Sequence, residues 1–412
     1  MVYSKRFPSG LRLVVKQMDG LLSVSMGVLV GTGSCFESEK ENGISHFIEH
    51  MMFKGTQKRT AFEISDAMDR IGAQVNAFTS KDITCYYAKS TFDHAEDAFE
   101  VLSDFVLHSV FPEEEMAREK GVVLEEIAMT EDTPDDLCLD VLAEAYFGKD
   151  GYGRSILGPA ANVRGFTRQD LFDYIAERYC PANMVVSFAG NISIACAEDL
   201  VARYMEEALV RRAFSPRRKH IELKADSLFR KKDIEQVHIA FAWPSLARED
   251  ERLDAASVVN IILGGGMSSR LFQRVREQLG LAYTVYSYLS SFTEGGLLTV
   301  YAGVNPANVG RAQEAIMQTV RTLREEKFTK DEFLRGKEQI KSSLILSQEN
   351  SATQMVAYGK YMLYNGRELD LEGRVEHIAS LTMDDCAEAL SLHFGEKCAA
   401  AAVGKIEAPL TV

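Results

Sequence analysis

The sequence predicts two copies of an α/β unit of about 200 residues joined by a short linker. Three observations carry this. At 412 residues the chain is too long for one ordinary core. Strand-like and helix-like runs fill the chain to about residue 209, and a similar order restarts near Val237. Between them lies Arg211–His220, a basic stretch with a proline and little hydrophobic pattern, which reads as a connector. The expected division is therefore 1–212, a linker at 213–220, and 221–412.

The elements follow in order. Residues 11–17 and 22–30 alternate or run apolar as strands do, and the second ends at Gly31-Thr-Gly-Ser. A polar loop, 37–42, leads into a short helix from Gly43 to Met51. A helix over 61–70 precedes Gly72 and two strand-like runs, 73–79 and 84–89. The amphipathic run 94–107 buries Ala98, Phe99, Leu102, Phe105 and Val106 as one stripe. Pro112 then opens a helix whose first turn, Glu113–Glu115, suits the positive end of the helix dipole. It runs to about Met129, and Pro134 opens another. A loop at 148–158, a helix at 168–177, a strand at 183–189 and a helix at 196–209 complete the first half.

In the second half, the strand 237–243, the helix 253–263, the strand 297–301 and the helix 309–323 repeat the earlier order. Met26 and Ala240, and likewise Tyr87 and Tyr301, stand at one common offset, so they are expected to be equivalent. Gly264–Gly266 could pass for a phosphate loop, but no Gly-Lys-Ser/Thr follows, so it reads as a helix stop and tight turn.

Composition narrows the function. Hydrophobic content of 46% and charged content of 26% belong to a folded globular chain. A net charge of −14 argues against nucleic acid or an anionic membrane as the main partner. The N-terminus lacks the apolar core of a secretory signal, and no run approaches a membrane span, so a cytoplasmic protein is expected. The seven scattered cysteines never form C-x-x-C and read as reduced, mostly buried residues.

The chemistry is concentrated in Gly43–Met51. On a helix, His46, Glu49 and His50 share one face. Two neutral imidazoles at that spacing can hold a zinc ion, and the neighbouring carboxylate can take a proton from water held by the ion. A site with three protein ligands needs one more carboxylate or imidazole. The helix 113–129 offers Glu119, Glu125 and Glu126, and its phase sets Glu119, Val122, Val123 and Glu126 on one stripe. Phase alone does not separate this stripe from an ordinary acidic surface.

With H-x-x-E-H followed by Arg118-Glu-Lys-Gly-Val-Val-Leu-Glu-Glu-Ile127, the chain resembles the inverzincin metallopeptidases, which include pitrilysin, insulin-degrading enzyme and the mitochondrial processing peptidase. The resemblance extends through His50-Met-Met-Phe-Lys-Gly-Thr56, Asn76-Ala-Phe-Thr79, Gly264–Phe272 and Val275–Tyr283, and so covers essentially the whole chain, as in short two-domain bacterial members. It implies an α+β fold of two duplicated domains, each a mostly antiparallel sheet flanked by helices, paired in a clamshell homodimer.

The resemblance further implies that His46, His50 and Glu126 bind one Zn2+ and that Glu49 is the general base. Glu119 would support the site by orienting a ligand histidine. Asn76, Ala77, Phe78 and Thr79 would form an edge strand on which peptide substrate lies. Arg276 and Tyr283 would assist catalysis from the second domain, Tyr283 by donating to the developing oxyanion, and in a homodimer they would complete the zinc site of the partner. The implied activity is hydrolysis of peptides or unfolded polypeptides in an enclosed chamber. The chain lacks the long glycine-rich loop of the processing peptidase's non-catalytic subunit, which weighs against presequence recognition. One rival is a non-catalytic assembly subunit, as the family's respiratory-complex core proteins are; those typically lose part of the metal motif, which is complete here. Another is a metal hydrolase acting on something other than peptides.

Overall fold

A computed structural model of the chain describes residues 1–149, 151–209, 214, 221, 223–395 and 397–411. The strands in chain order are β1 (Val2–Arg6), β2 (Arg12–Gln17), β3 (Ser23–Val30), β4 (Gln74–Thr79), β5 (Thr84–Thr91), β6 (Met184–Gly190), β7 (Ser227–Lys231), β8 (Val237–Ser245), β9 (Ala282–Phe292), β10 (Gly295–Val304) and β11 (Ala399–Gly404). The helices of the first half are α1 (Ile44–Met52), α2 (Ala61–Arg70), α3 (Ala95–His108), α4 (Glu113–Asp132), α5 (Pro134–Phe147), α6 (Ala160–Gly165), α7 (Arg168–Arg178) and α8 (Ile194–Tyr204). Those of the second are α9 (Leu253–Gly264), α10 (Val309–Glu326), α11 (Lys330–Ser347), α12 (Ser351–Asn365), α13 (Leu371–Ser380) and α14 (Met383–His393).

The predicted elements appear with boundaries shifted by a few residues. Ser193 caps α8 earlier than expected by accepting the Cys196 N–H, and the helix stops at Tyr204. α9 ends at the glycines, as its turn reading requires. Of the seven cysteines, all are free and only Cys196 is exposed.

Two sheets form. One has the order β1-β2-β6-β3-β5-β4, the other β7-β11-β8-β10-β9. Without β1 the two orders coincide strand for strand, and in each the single parallel pair among described strands is the matching one, β2 with β6 and β7 with β11. The repeat is thus a repeat of topology. Its register differs by one residue from the sequence expectation. Tyr87 lies opposite Gly27, whereas Tyr301 lies opposite Ala240. Ala240 therefore matches Gly27, not Met26. A one-residue slip reverses the face of a strand residue, and Met26 indeed points to the core under α1 and α3 while Ala240 points to α5.

The units are not unbroken halves. The first comprises Met1–Ile127, Ser155–Arg217 and Ser347–Asp370; the second comprises Ala128–Arg154, Arg218–Leu346 and Leu371–Val412. The expected linker, apart from Phe214, lies outside the described residues. Within the first unit, α12 covers the outer sheet face, where small residues allow close approach. A Cβ on Gly27 would stand 2.4 Å from Met355 Sδ, and one on Gly359 would stand 2.5 Å from Leu29 Cδ1. Ser187 Oγ donates to the Met355 carbonyl at 2.7 Å. Within the second unit, α5 covers an outer face made of Ala240, Ala242, Ala399 and Ala401. Each sheet thus has helices on both faces, and each outer helix comes from the other half of the chain. No helix among the described residues is long and apolar enough to cross a membrane.

Candidate metal centre and active site

α1 is held at both ends by the first unit. Its first turn has no Ser, Thr, Asp or Asn cap. The buried carboxylate of Glu37 does that work instead, accepting the Gly43 N–H at 2.8 Å and the Ser45 N–H at 2.9 Å. Asn42 Nδ2 donates to the same carboxylate at 3.0 Å. Gly43 itself has φ +99°, and a Cβ there would stand 2.5 Å from the Leu157 carbonyl oxygen, so the helix entry requires glycine. Ile44, Phe47, Ile48, Met51 and Met52 are buried in the core. That burial fixes the helix rotation and leaves His46, Glu49 and His50 on the remaining face.

α4 brings the carboxylates. Its rotation is set by buried Met116 and Val123, while Val122 is 46% exposed. The predicted stripe was therefore too wide by one residue: Glu119 and Glu126 share a face with Val123, but Val122 turns to solvent, as does Glu125, which lies off the stripe. Glu126 Oε2 stands 3.6 Å from His46 Nε2 and 3.4 Å from His50 Nε2. One donor atom from each of the three residues lies within 4.8 Å of the others, and this is the one such group of ligand residues among the described residues.

This donor set fits zinc. Ligand atoms about 2.1 Å from a tetrahedral ion are about 3.4 Å apart, which is the spacing of Glu126 from both imidazoles. Three protein donors also leave a fourth position for water or substrate. Both imidazoles turn Nε2 toward Glu126, and their ring centroids are 4.6 Å apart.

Further side chains contact these residues. His50 Nδ1 is 2.8 Å from Glu119 Oε1, and Lys54 Nζ is 2.6 Å from Glu119 Oε2. Burial alone would lower the His50 pKa, but the bond to Glu119 and the charges of Glu126, Glu119 and Glu49 raise it above the ordinary imidazole value. Burial likewise favours protonation of Glu119, and its bonds from His50 and Lys54 override this and hold its pKa down. His46 has no such carboxylate, its Nδ1 is buried without a partner, and burial with the neighbouring His50 lowers its pKa to about 3.

Glu49 sits beside the donors. Burial raises its pKa above the usual carboxylate range, opposed by a hydrogen bond donated by Thr79 Oγ1 to Oε2. Thr79 closes β4, the last strand of its sheet, which among the described strands pairs with β5 alone. Asn76, Ala77 and Phe78 lie along the same free edge, where Asn76 Oδ1 accepts the Ala77 N–H at 2.8 Å. Neither the bond from Thr79 to Glu49 nor the contact from Lys54 to Glu119 is legible in the sequence, since both join residues that only the fold brings together.

Arg276 and Tyr283 belong to the second unit. Arg276 lies in a π-helical segment, Phe272–Gln278, and Tyr283 near the start of β9. The Arg276 guanidinium carbon is 4.8 Å from the Tyr283 ring centroid and 4.7 Å from that of Phe272. Tyr283 is 74% exposed. The structure brings these two together as a pair.

Residues 13–160 match the family described as Insulinase (Peptidase family M16), and residues 165–340 match the family described as Peptidase M16 inactive domain. A protein named uncharacterized zinc protease from Bacillus subtilis is 41% identical over 376 residues, 91% of each chain. Another of that name from Streptomyces coelicolor is 37% identical over 92% of this chain and 84% of its own. Among solved structures, a protease from Helicobacter pylori superposes with TM-score 0.90 at 22% identity, covering 98% of this chain and 99% of that one. A structure titled peptidase M16 inactive domain, from Pseudomonas fluorescens, gives 0.92 at 21% identity over the whole of both chains. The inverted histidine motif and these full-length similarities have one meaning: the chain belongs to peptidase family M16, as a metallopeptidase of the bacterial type.

Proposed function

We propose that the protein is a zinc metalloendopeptidase that hydrolyses peptides or unfolded polypeptides. The observation that carries this reading is the convergence of His46, His50 and Glu126 at zinc-ligand spacing with Glu49 beside them. Bound there, zinc supplies Lewis acidity, lowering the pKa of water and polarising a carbonyl oxygen. The rest is done by the chain. Glu49, its pKa raised by burial, takes the proton of the attacking water and passes it to the leaving amine. Thr79 fixes Oε2 of that carboxylate, leaving Oε1 for the proton. Glu119 accepts the Nδ1 proton of His50, which leaves Nε2 free as a ligand.

The free edge of β4 supports a substrate bound as an added strand along Asn76–Thr79. Main-chain pairing of that kind is tolerant of side-chain identity, as a peptidase acting on unfolded chains requires. The exposed Tyr283, stacked on Arg276, suits a donor to the developing oxyanion in a partner's site. In this reading the working form is a cytoplasmic homodimer, closed as a clamshell around a chamber that selects unfolded peptides by size.

The decisive experiment combines metal analysis with cleavage of a pool of quenched fluorescent peptides, using Glu49→Gln as control. The expected result is about one zinc per chain in both proteins and cleavage by the wild type alone, a loss of at least about a hundredfold in the variant. Zinc-free protein would support a non-catalytic assembly role. Zinc without peptide cleavage would point to a different substrate.

A further inference from the structure

Lys54 lies two residues beyond the end of α1, at the entry of a turn that the fold pins in place. Gly55 has φ +128°, the Thr56 N–H donates to the Arg59 carbonyl at 2.7 Å, and the Val110 N–H donates to the Gly55 carbonyl at 3.1 Å. Thr56 Oγ1 donates to buried Asp104 at 2.9 Å while accepting the N–H groups of Lys58 and Arg59 at 3.0 and 2.9 Å. Arg59 adds an ion pair to the same carboxylate at 2.7 Å. The backbone that carries Lys54 is thus anchored on α3, independently of the metal ligands.

From this anchor the Lys54 side chain reaches α4, where its ammonium meets Glu119 Oε2 at 2.6 Å. The Glu119 side chain is only 6% exposed, and its other oxygen meets His50 Nδ1 at 2.8 Å. A carboxylate held at one oxygen can still swing about its own bonds. Held at both, by one group on α1 and another on the pinned turn, it keeps its plane and so fixes the ring it touches.

We propose that Lys54 is a positioning residue of the metal centre, clamping Glu119 so that the His50 ring keeps Nε2 turned toward Glu126. The inference rests on the reading that zinc binds His46, His50 and Glu126. It adds a residue of the loop after α1 to the apparatus that sets metal affinity. A lysine that only neutralised a buried carboxylate would alter the stability of the fold without acting on zinc through Glu119.

The test is the zinc dissociation constant, measured by competition with a chromophoric chelator for wild type, Lys54→Met, Lys54→Arg, Glu119→Gln and the Lys54→Met, Glu119→Gln double variant. Lys54→Met is expected to weaken zinc binding about tenfold, the lower end of the range for groups that orient a ligand histidine. Lys54→Arg retains most of the affinity, and in the Glu119→Gln background Lys54→Met has no further effect. Wild-type affinity in Lys54→Met overturns the proposal, as does an equal loss with and without Glu119. Should Lys54→Met fail to fold, Lys54→Gln is measured in its place against the same outcomes. A wild-type protein that binds no zinc instead removes the underlying reading, which the same titration reveals separately.

Discussion

Thr79→Val takes one hydroxyl from the site and little else. Valine keeps the β-branched shape that suits β4, with a methyl where Oγ1 stood. What is lost is the bond to Glu49 Oε2. A hydrogen bond to a charged group contributes about 1.5–3 kcal/mol, and each 1.36 kcal/mol is tenfold in rate, so full expression in the transition state would slow kcat by about 10- to 150-fold. Two effects reduce this. Glu49 gives up its charge as it takes the proton, so part of the bond is lost in the wild type as well. The hydroxyl also holds the Glu49 pKa down, so the variant has a stronger base. The expected outcome is a fall in kcat of about three- to tenfold with KM unchanged. The pH profile adds a second signature. Glu49 works unprotonated, so activity is lost as pH falls through its pKa. Removing a donor that opposes the effect of burial moves that loss to higher pH. Steady-state cleavage of a quenched peptide across pH, with zinc saturating, reads both quantities, and Thr79→Ser should restore them. A Thr79→Val enzyme with wild-type kcat and an unmoved acid limb would refute the reasoning, as would a Thr79→Ser enzyme no better than Thr79→Val.

Four other outcomes are expected. Zinc affinity should fall on acidification beginning above the ordinary imidazole range, because Glu119 and its neighbours raise the His50 pKa and the proton competes with the metal; in Glu119→Gln the onset moves to lower pH, read by the same chelator competition. Mixing Glu49→Gln with Tyr283→Phe chains, once subunit exchange is demonstrated, should regain activity above either parent; no gain would exclude active sites shared between subunits. Gly359→Ala should lower stability by up to about 2 kcal/mol in urea unfolding, since about 1–3 kcal/mol of overpacking opposes about 1 kcal/mol of helix propensity. Its Cβ would stand 2.5 Å from Leu29 Cδ1 and 3.0 Å from Ser187 Cβ, both in buried residues, whereas Gly121→Ala in α4 meets nothing within 4 Å and should stabilise by about 0.5–1 kcal/mol.

What could be read from the sequence was local or repeated. His46, Glu49 and His50 share a face by helical spacing alone, and the strands from Arg12 to Gly190 carry period-two or continuous apolar patterns with turn residues between them. The orientation of α4 was half legible: phase links Glu119 to Glu126, but the choice of Val123 over Val122 as the buried partner depends on which neighbour the helix meets. The last part of the chain gave little. β11 is Ala399-Ala-Ala-Ala-Val-Gly404, buried on both faces, so it shows neither alternation nor β-branched enrichment. α12 meets its sheet through Ser351, Met355 and Gly359, small or flexible residues that do not stand out as an apolar stripe. Thr79 and Lys54 touch Glu49 and Glu119 across elements, and no sequence period reports such a contact.

The origin of α12 has a consequence for when the first unit is fully assembled. The first unit holds His46, His50 and Glu126, yet the helix that covers its outer sheet face is encoded at Ser351–Asn365. At about 5–20 residues per second, a ribosome that has finished residue 217 needs roughly 7–30 s more to reach the end of that helix. During this interval every strand of the sheet, β4 with Thr79 included, has been made, but Gly27, Leu29 and Ser187 lack their cover. A nascent chain is an unfolded polypeptide, the class of substrate proposed here. A cleavage activity that depends on the fully covered sheet would therefore begin only after α12 is made.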